Sequence, residues 1–206
     1  MARGSSELVF PRAAGILLPV FSLPGRHGIG AFGREAHQFV DFLAAAGQRD
    51  WQMLPLGPTS YGDSPYQSFS TFAGNPYYID IDALVSLGLL TWEEAERDVV
   101  PEAAEINYER LFHTRHTLLR EAYMRFAEGA DRSFSADGVT VSREGLENFS
   151  AENASWLEDF ALFMALKEAH DGRSFLEWEK PLRLREESAL VKARGQYADD
   201  IRFHRF

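Results

Sequence analysis

Apolar residues recur along this chain in two rhythms, and the switches between them mark out its elements. From Ala13 to Val20 they form a short run that ends around Pro19, which predicts a buried strand. Between Gly33 and Ala46 the rhythm becomes helical. Ala36, Phe39, Val40, Leu43 and Ala44 fall on one face, and Gly47 is a natural residue to follow the last turn. A second run, Asp50 to Leu54, predicts another strand. Strand, crossover helix and strand in this order predict a right-handed parallel βαβ unit. Proteins built that way place their chemistry in the loops beyond the carboxyl ends of the strands.

After Pro76 the pattern changes. Tyr77 to Ile81 alternates weakly and predicts a third short strand, and the remainder reads mainly as helix. Thr91 and Glu94 have the spacing of a capping box. Ile106 to Glu128 predicts a long helix with Tyr108, Leu111, Phe112, Arg115, Leu118, Ala122 and Phe126 on its inner side and Gly129 at its end. The stretch 131–149 is the most loop-like and marks a subdomain edge. Ser155 with Glu158 repeats the capping pattern and opens a helix to His170 that buries Trp156, Phe160, Phe163 and Met164. The expected division is 1–82, first βα units; 83–150, a mainly helical insertion; and 151–206, a helical segment leading back to the sheet. Two or three parallel strands cannot close a sheet, whereas a (β/α)₈ barrel takes about 250 residues. With Ile201, Phe203 and Phe206 running to the last residue without a stop signal, the expectation is an α/β chain forming the N-terminal part of such a barrel. A partial barrel would expose strand edges and apolar helix faces, so poor solubility is expected.

Composition limits the partners. A net charge of −10 without any dense Lys/Arg run disfavours nucleic acid and anionic membranes. The absence of cysteine excludes disulfides, thiolate zinc sites and a cysteine nucleophile, and fits a reducing compartment. Met1 to Arg12 lacks a signal-peptide core, and the nearest apolar run contains Pro19 and is far too short to span a bilayer. The cytoplasm is the expected location. The glycosylation-type triplets at Asn148 and Asn153 read as chance in this setting.

The unusual segment is Tyr61 to Pro76, YGDSPYQSFSTFAGNP. It gathers four aromatic rings with several hydroxyls, two amides and one carboxylate in a Gly/Pro-punctuated loop. It is too polar for a core element and too aromatic for a plain linker. Rings beside neutral polar groups suit a ligand with apolar faces and hydroxyl rims, which describes a sugar. A competing motif, Gly28-Ile29-Gly30-Ala31-Phe32-Gly33, fits the dinucleotide fingerprint G-x-G-x-x-G. Yet Phe21 to His27 separates it from the strand. Where an acidic residue should follow about 20 residues on, the chain has Met53, Leu54 and Pro55. The simpler reading is a turn in which the backbone passes close to other groups. His113 and His116 are spaced for a shared metal, but that face offers no obvious third ligand, and a solvated face is the simpler reading. The run Arg183, Arg185, Glu186, Glu187 reads as solvent-facing, and Trp51 and Trp178 as packing residues. Asn75 reads as a turn former, and Asp63, which has no carboxylate partner in the loop, as a cap or turn residue.

Three segments together resemble one family. RAAGILLPVFSLPGRHGIGAFG, DFLAAAGQRDWQMLPLGPTSYGDSPYQSFSTFAGNPYYIDID and NASWLEDFALFMALKE are similar to the N-terminal portion of 4-alpha-glucanotransferases of the amylomaltase, or disproportionating-enzyme, type. The stretch 84–149 matches in helical character alone. The resemblance implies a (β/α)₈ barrel with helical insertions acting on maltooligosaccharides and α-1,4-glucans without cofactor or metal. It implies a retaining double displacement carried by an Asp nucleophile, a Glu acid/base and a second Asp, all beyond residue 206, so that this chain alone would be inactive. It further implies that Tyr66 stacks on the glucose unit beside the scissile bond, that Asp63, Ser64 and Gln67 shape that wall, and that Tyr61 belongs to a secondary glucan groove. A non-catalytic carbohydrate-binding module, and less readily a nucleotide-binding oxidoreductase domain, are the alternatives.

Overall fold

The computed structural model describes residues 12–59, 62–100, 105–129 and 132–206. Strand β1 (Gly15–Leu17) leads through a 3₁₀ turn (Val20–Ser22) and the glycine-rich segment to α1 (Arg34–Ala45) and β2 (Asp50–Gln52). The strands pair in parallel, with Gly15 opposite Asp50 and Leu17 opposite Gln52. The expected βαβ unit is therefore present, but both strands are shorter than the apolar runs that announced them. Pro19 has no N–H to continue β1, and the next residues turn instead. The ladder is also exposed rather than buried, with Ile16 and Leu17 both accessible. Trp51 packs edge-on against Phe39 of α1, ring centroids 5.0 Å apart, and its indole N–H donates to the Leu18 carbonyl at 2.7 Å.

No strand forms over Tyr77 to Ile81. The Asn75 side chain accepts from the Tyr77 amide at 3.0 Å and opens a 3₁₀ turn, Pro76–Tyr78. The Asp80 carboxylate accepts from the Asp82 amide at 3.0 Å and opens α2 (Ile81–Ser86). Two side-chain caps this close override a weak alternation. In α3 (Trp92–Glu96) both arms of the expected capping box are made: Glu94 N–H to Thr91 Oγ1 at 3.2 Å and Thr91 N–H to Glu94 Oε2 at 2.7 Å.

Helix α4 (Tyr108–Glu128) starts behind Asn107, whose side chain accepts from the Arg110 amide at 2.9 Å. It buries Leu111, Arg115, Leu118, Ala122 and Phe126 as expected, together with Leu119 and Tyr123. Phe112 is instead 62 % exposed. It lies just off the stripe that the last two residues complete.

The described part of the expected loop, 132–149, is more ordered than its composition suggests. It forms a hairpin, β3 (Phe134–Ala136) with β4 (Val139–Val141), followed by most of α5 (Arg143–Glu152). The signal is Asp137-Gly138, both with positive φ (49° and 79°), the dipeptide a tight two-residue turn selects. Helix α6 (Ala154–Ala169) begins behind Asn153, so Ser155 lies within its first turn and the second expected capping box is not made. Its fully buried residues are Leu157, Ala161, Leu162, Ala165 and Leu166, whereas Trp156, Phe160, Phe163 and Met164 are half-buried.

Helices α7 (Lys180–Arg183), α8 (Glu187–Gln196) and α9 (Ala198–Arg205) complete the chain, with α9 lying along α6. One hydrophobic cluster gathers α2, α3, α4 and Phe203. A second gathers α6, α8, Trp178 and Ile201, and a third lies beneath β1 and β2 with Val20, Ile29, Tyr78 and Leu111. Glu168 of α6 ties the helices together, meeting His116 at 2.8 Å, Arg120 at 3.0 Å and His204 at 2.9 Å. His116 is thus held by a carboxylate from another helix that the sequence reading missed, while His113 is exposed. Among the described residues no group of three His, Cys, Asp or Glu side chains is arranged to hold a metal, and no helix is long and apolar enough to cross a membrane.

Candidate functional site

The aromatic segment leaves the carboxyl end of β2 through Pro55 to Pro58 and closes on itself where Thr59 bridges to Ser68. Gly62 and Asp63 both have left-handed backbone (φ 89° and 53°), a conformation glycine and aspartate tolerate best. The Asp63 carboxylate accepts from the Thr59 hydroxyl at 3.3 Å. Next comes the turn Ser64-Pro65-Tyr66-Gln67, in which the Gln67 amide donates to the Ser64 carbonyl at 3.0 Å. Proline stands at its second position, as such turns favour, and Tyr66 at its third, 72 % exposed. Asp63, Ser64, Tyr66 and Gln67 are thus brought together on one turn. Tyr61 lies outside the described residues.

Hydroxyls as well as ring contacts hold the rest of the loop. Ser68 Oγ donates to the Ser70 carbonyl at 2.7 Å, and Ser70 Oγ accepts from the amides of Phe72 at 3.3 Å and Ala73 at 3.0 Å. These bonds substitute for the ladder or helix the segment lacks. The rings lean on α6. Phe69 approaches Phe163, centroids 6.1 Å apart, and Phe72 stacks on Trp156 at 5.8 Å with the planes 19° apart. Sequence reasoning placed Trp156 and Phe163 in a helix core. No local signal links them to rings 84 and 94 positions earlier.

A buried arginine fixes the exit of the loop. Arg115, 1 % exposed, donates to the carbonyls of Ile79 at 2.8 Å, Tyr77 at 3.2 Å and His27 at 3.5 Å, and faces Asp98 at 3.2 Å. Desolvation lowers its pKa, and the Asp98 charge opposes that shift. His27 Nε2 meets Asp82 at 2.9 Å. The same guanidinium therefore reads both the loop exit and the glycine-rich turn. The glycines there serve close packing. A Cβ on Gly30 would stand 2.0 Å from the Val20 carbonyl oxygen, and one on Gly33 would stand 2.0 Å from an Asp80 carboxylate oxygen.

Electrostatically the loop is mild. Burial pushes Asp63 upward against its hydrogen bond from Thr59. Burial, reinforced by the Asp63 charge, pushes the Tyr77 phenol up to about 12. The loop contains no Lys or Arg. Such a surface offers rings, hydroxyls and amides to an uncharged ligand and no cation to a phosphate.

Residues 18–206 match the family model described as 4-alpha-glucanotransferase. The chain belongs to the 4-alpha-glucanotransferase family. It is 46% identical over 196 residues to a 4-alpha-glucanotransferase of Streptococcus pneumoniae, covering 94% of this chain and 37% of that protein. To one of Thermus thermophilus it is 47% identical, covering 95% and 37%. A chloroplastic/amyloplastic 4-alpha-glucanotransferase of Arabidopsis thaliana is 36% identical over 87% of this chain and 30% of its own length. The fold matches that of an amylomaltase from Streptococcus agalactiae solved in complex with acarbose, with a TM-score of 0.85 and 39% identity over 95% of this chain and 38% of that one. The chain thus has the α/β fold of that amylomaltase and spans about 37% of the length of the bacterial relatives.

Proposed function

We propose that this chain supplies part of the sugar-binding wall of a 4-alpha-glucanotransferase, which moves α-1,4-glucan segments between maltooligosaccharides by a retaining double displacement. The observation that carries this reading is the Ser64–Gln67 turn, which holds Tyr66 out into solvent at the carboxyl end of a parallel strand pair. A polar backbone frame with a projecting ring is the arrangement a sugar face requires. In this reading Tyr66 stacks on the glucose unit beside the bond to be broken. Asp63, Ser64 and Gln67 line the wall, and Tyr61 serves a second groove. Family membership supports the roles, and the loop geometry is compatible with them. The fold is the N-terminal part of a (β/α)₈ barrel with helical insertions, divided at 82/83 and 150/151, working in the cytoplasm without cofactor or metal.

A retaining transfer needs two carboxyl groups about 5–5.5 Å apart, and Asp63 is the one carboxylate of the loop. On the family resemblance we place the catalytic pair outside residues 1–206 and give this chain a binding role. That same observation keeps a purely carbohydrate-binding module as the second reading. The test is to incubate maltotriose with this chain and with a protein of the relatives' full length that contains it. Glucose and longer oligosaccharides should appear with the longer protein alone. Their formation by the 206-residue chain would refute the assignment of the carboxylates, and their absence from both would favour the binding module.

A further inference from the structure

We propose that Phe72, braced from behind by Trp156, is a second platform for an uncharged glucan, carrying the binding surface from the loop onto α6. This inference rests on the sugar-binding reading of the same loop and deepens it. Phe72 is 70 % exposed, an unfavourable state for a large apolar ring, yet it is held in place from several sides. One face lies against the Trp156 indole, nearly parallel at 5.8 Å. That indole is fixed in turn, its N–H donating to Asn153 Oδ1 at 3.1 Å while the Asn153 amide donates to the Phe149 carbonyl at 2.9 Å. The Phe72 backbone is pinned through Ser70 Oγ, and the next residue, Ala73, is buried. A ring supported on one side, open on the other and fixed in orientation loses little freedom on meeting a flat ligand.

The ligand class follows from the surroundings. Without Lys or Arg between Gly62 and Pro76, the loop has nothing to hold a phosphate. Its neutral hydroxyls and amides around two projecting rings match a pyranose, apolar on its face and hydroxylated at its rim. An apolar protein partner would find little to match in those polar groups.

The probe is maltoheptaose, titrated into the full chain by protein-observed NMR alongside the Phe72→Leu, Phe72→Tyr and Tyr66→Ala variants. Leucine keeps an apolar contact on Trp156 and removes the aromatic face, whereas tyrosine restores it. Phe72→Leu should weaken binding about three- to tenfold, the range of aromatic stacking, with Phe72→Tyr within about twofold of the parent. In the unmodified chain, maltoheptaose should shift the Trp156 indole N–H resonance and leave that of the buried Trp178 in place. Undiminished affinity in Phe72→Leu with reduced affinity in Tyr66→Ala would overturn the Phe72 platform and leave the sugar-binding reading standing. No binding by the parent chain would overturn both. A loss in Phe72→Leu that Phe72→Tyr does not recover would assign Phe72 to packing alone and also refute the proposal.

Discussion

The aromatic loop and the α4–α6–α9 face solve the same problem, fixing side chains in space, by opposite means. In the loop, short hydroxyl and amide side chains bond the backbone, while Tyr66 and Phe72 stay largely exposed. Along α4, α6 and α9, large side chains are buried and the polar groups among them are paired, as Glu168 is with His116, Arg120 and His204. Stability thus resides mainly in the helices and, in the proposed function, recognition mainly in the loop. Changes in one should leave the other property largely untouched.

The largest effect is expected where the two meet. Arg115→Met removes the partner of buried Asp98 and the donor to three carbonyls. It should destabilise the chain by about 3–5 kcal/mol in denaturant unfolding, and a change below about 1 kcal/mol would mean the node is incidental. Next is Tyr66→Ala, which should weaken maltoheptaose binding about tenfold, roughly 1.4 kcal/mol, while moving stability by no more than about 0.5 kcal/mol. A matching drop in thermal stability would erase the division between the regions. Thr91→Ala removes one arm of the α3 capping box and should cost about 1 kcal/mol with glucan affinity unchanged.

The smallest effect concerns pH. Hydrogen bonding from Arg125, opposed by burial and aided by Thr91, pulls the Glu94 carboxyl down to about 2. A carboxyl depressed in the folded state contributes stability that is complete above its ordinary value of 4.5 and fades as pH falls toward about 2. Glu94→Gln should therefore flatten the pH dependence of unfolding in that window, lowering stability at pH 7 and changing little near pH 2.

Much of this was readable from residues. The βαβ unit, the Thr91–Glu94 box and α4 all follow from local spacing and turn chemistry. Two of the failures are local in origin. Asn75 and Asp80 turned an apparent strand into two caps, and Asp137-Gly138 made a hairpin inside an apparent loop. Long-range pairs left no local trace at all. Trp156 under Phe72, Glu168 beside His116 and Arg115 beneath the loop exit all join residues distant in sequence, and helical periodicity records which side of a helix turns inward without naming what it meets.

Arg115 also sets an order of events during synthesis. Its carbonyl partners lie 36, 38 and 88 positions earlier in the chain. As the polypeptide emerges N-terminus first, the glycine-rich turn and the loop exit are made well before the guanidinium that anchors them. The local serine and asparagine bonds can shape the loop early, but its seat is completed only once α4 has been made. A ribosome pausing between the codons for Tyr77 and Arg115 would hold a nascent chain whose aromatic loop is shaped but not yet anchored.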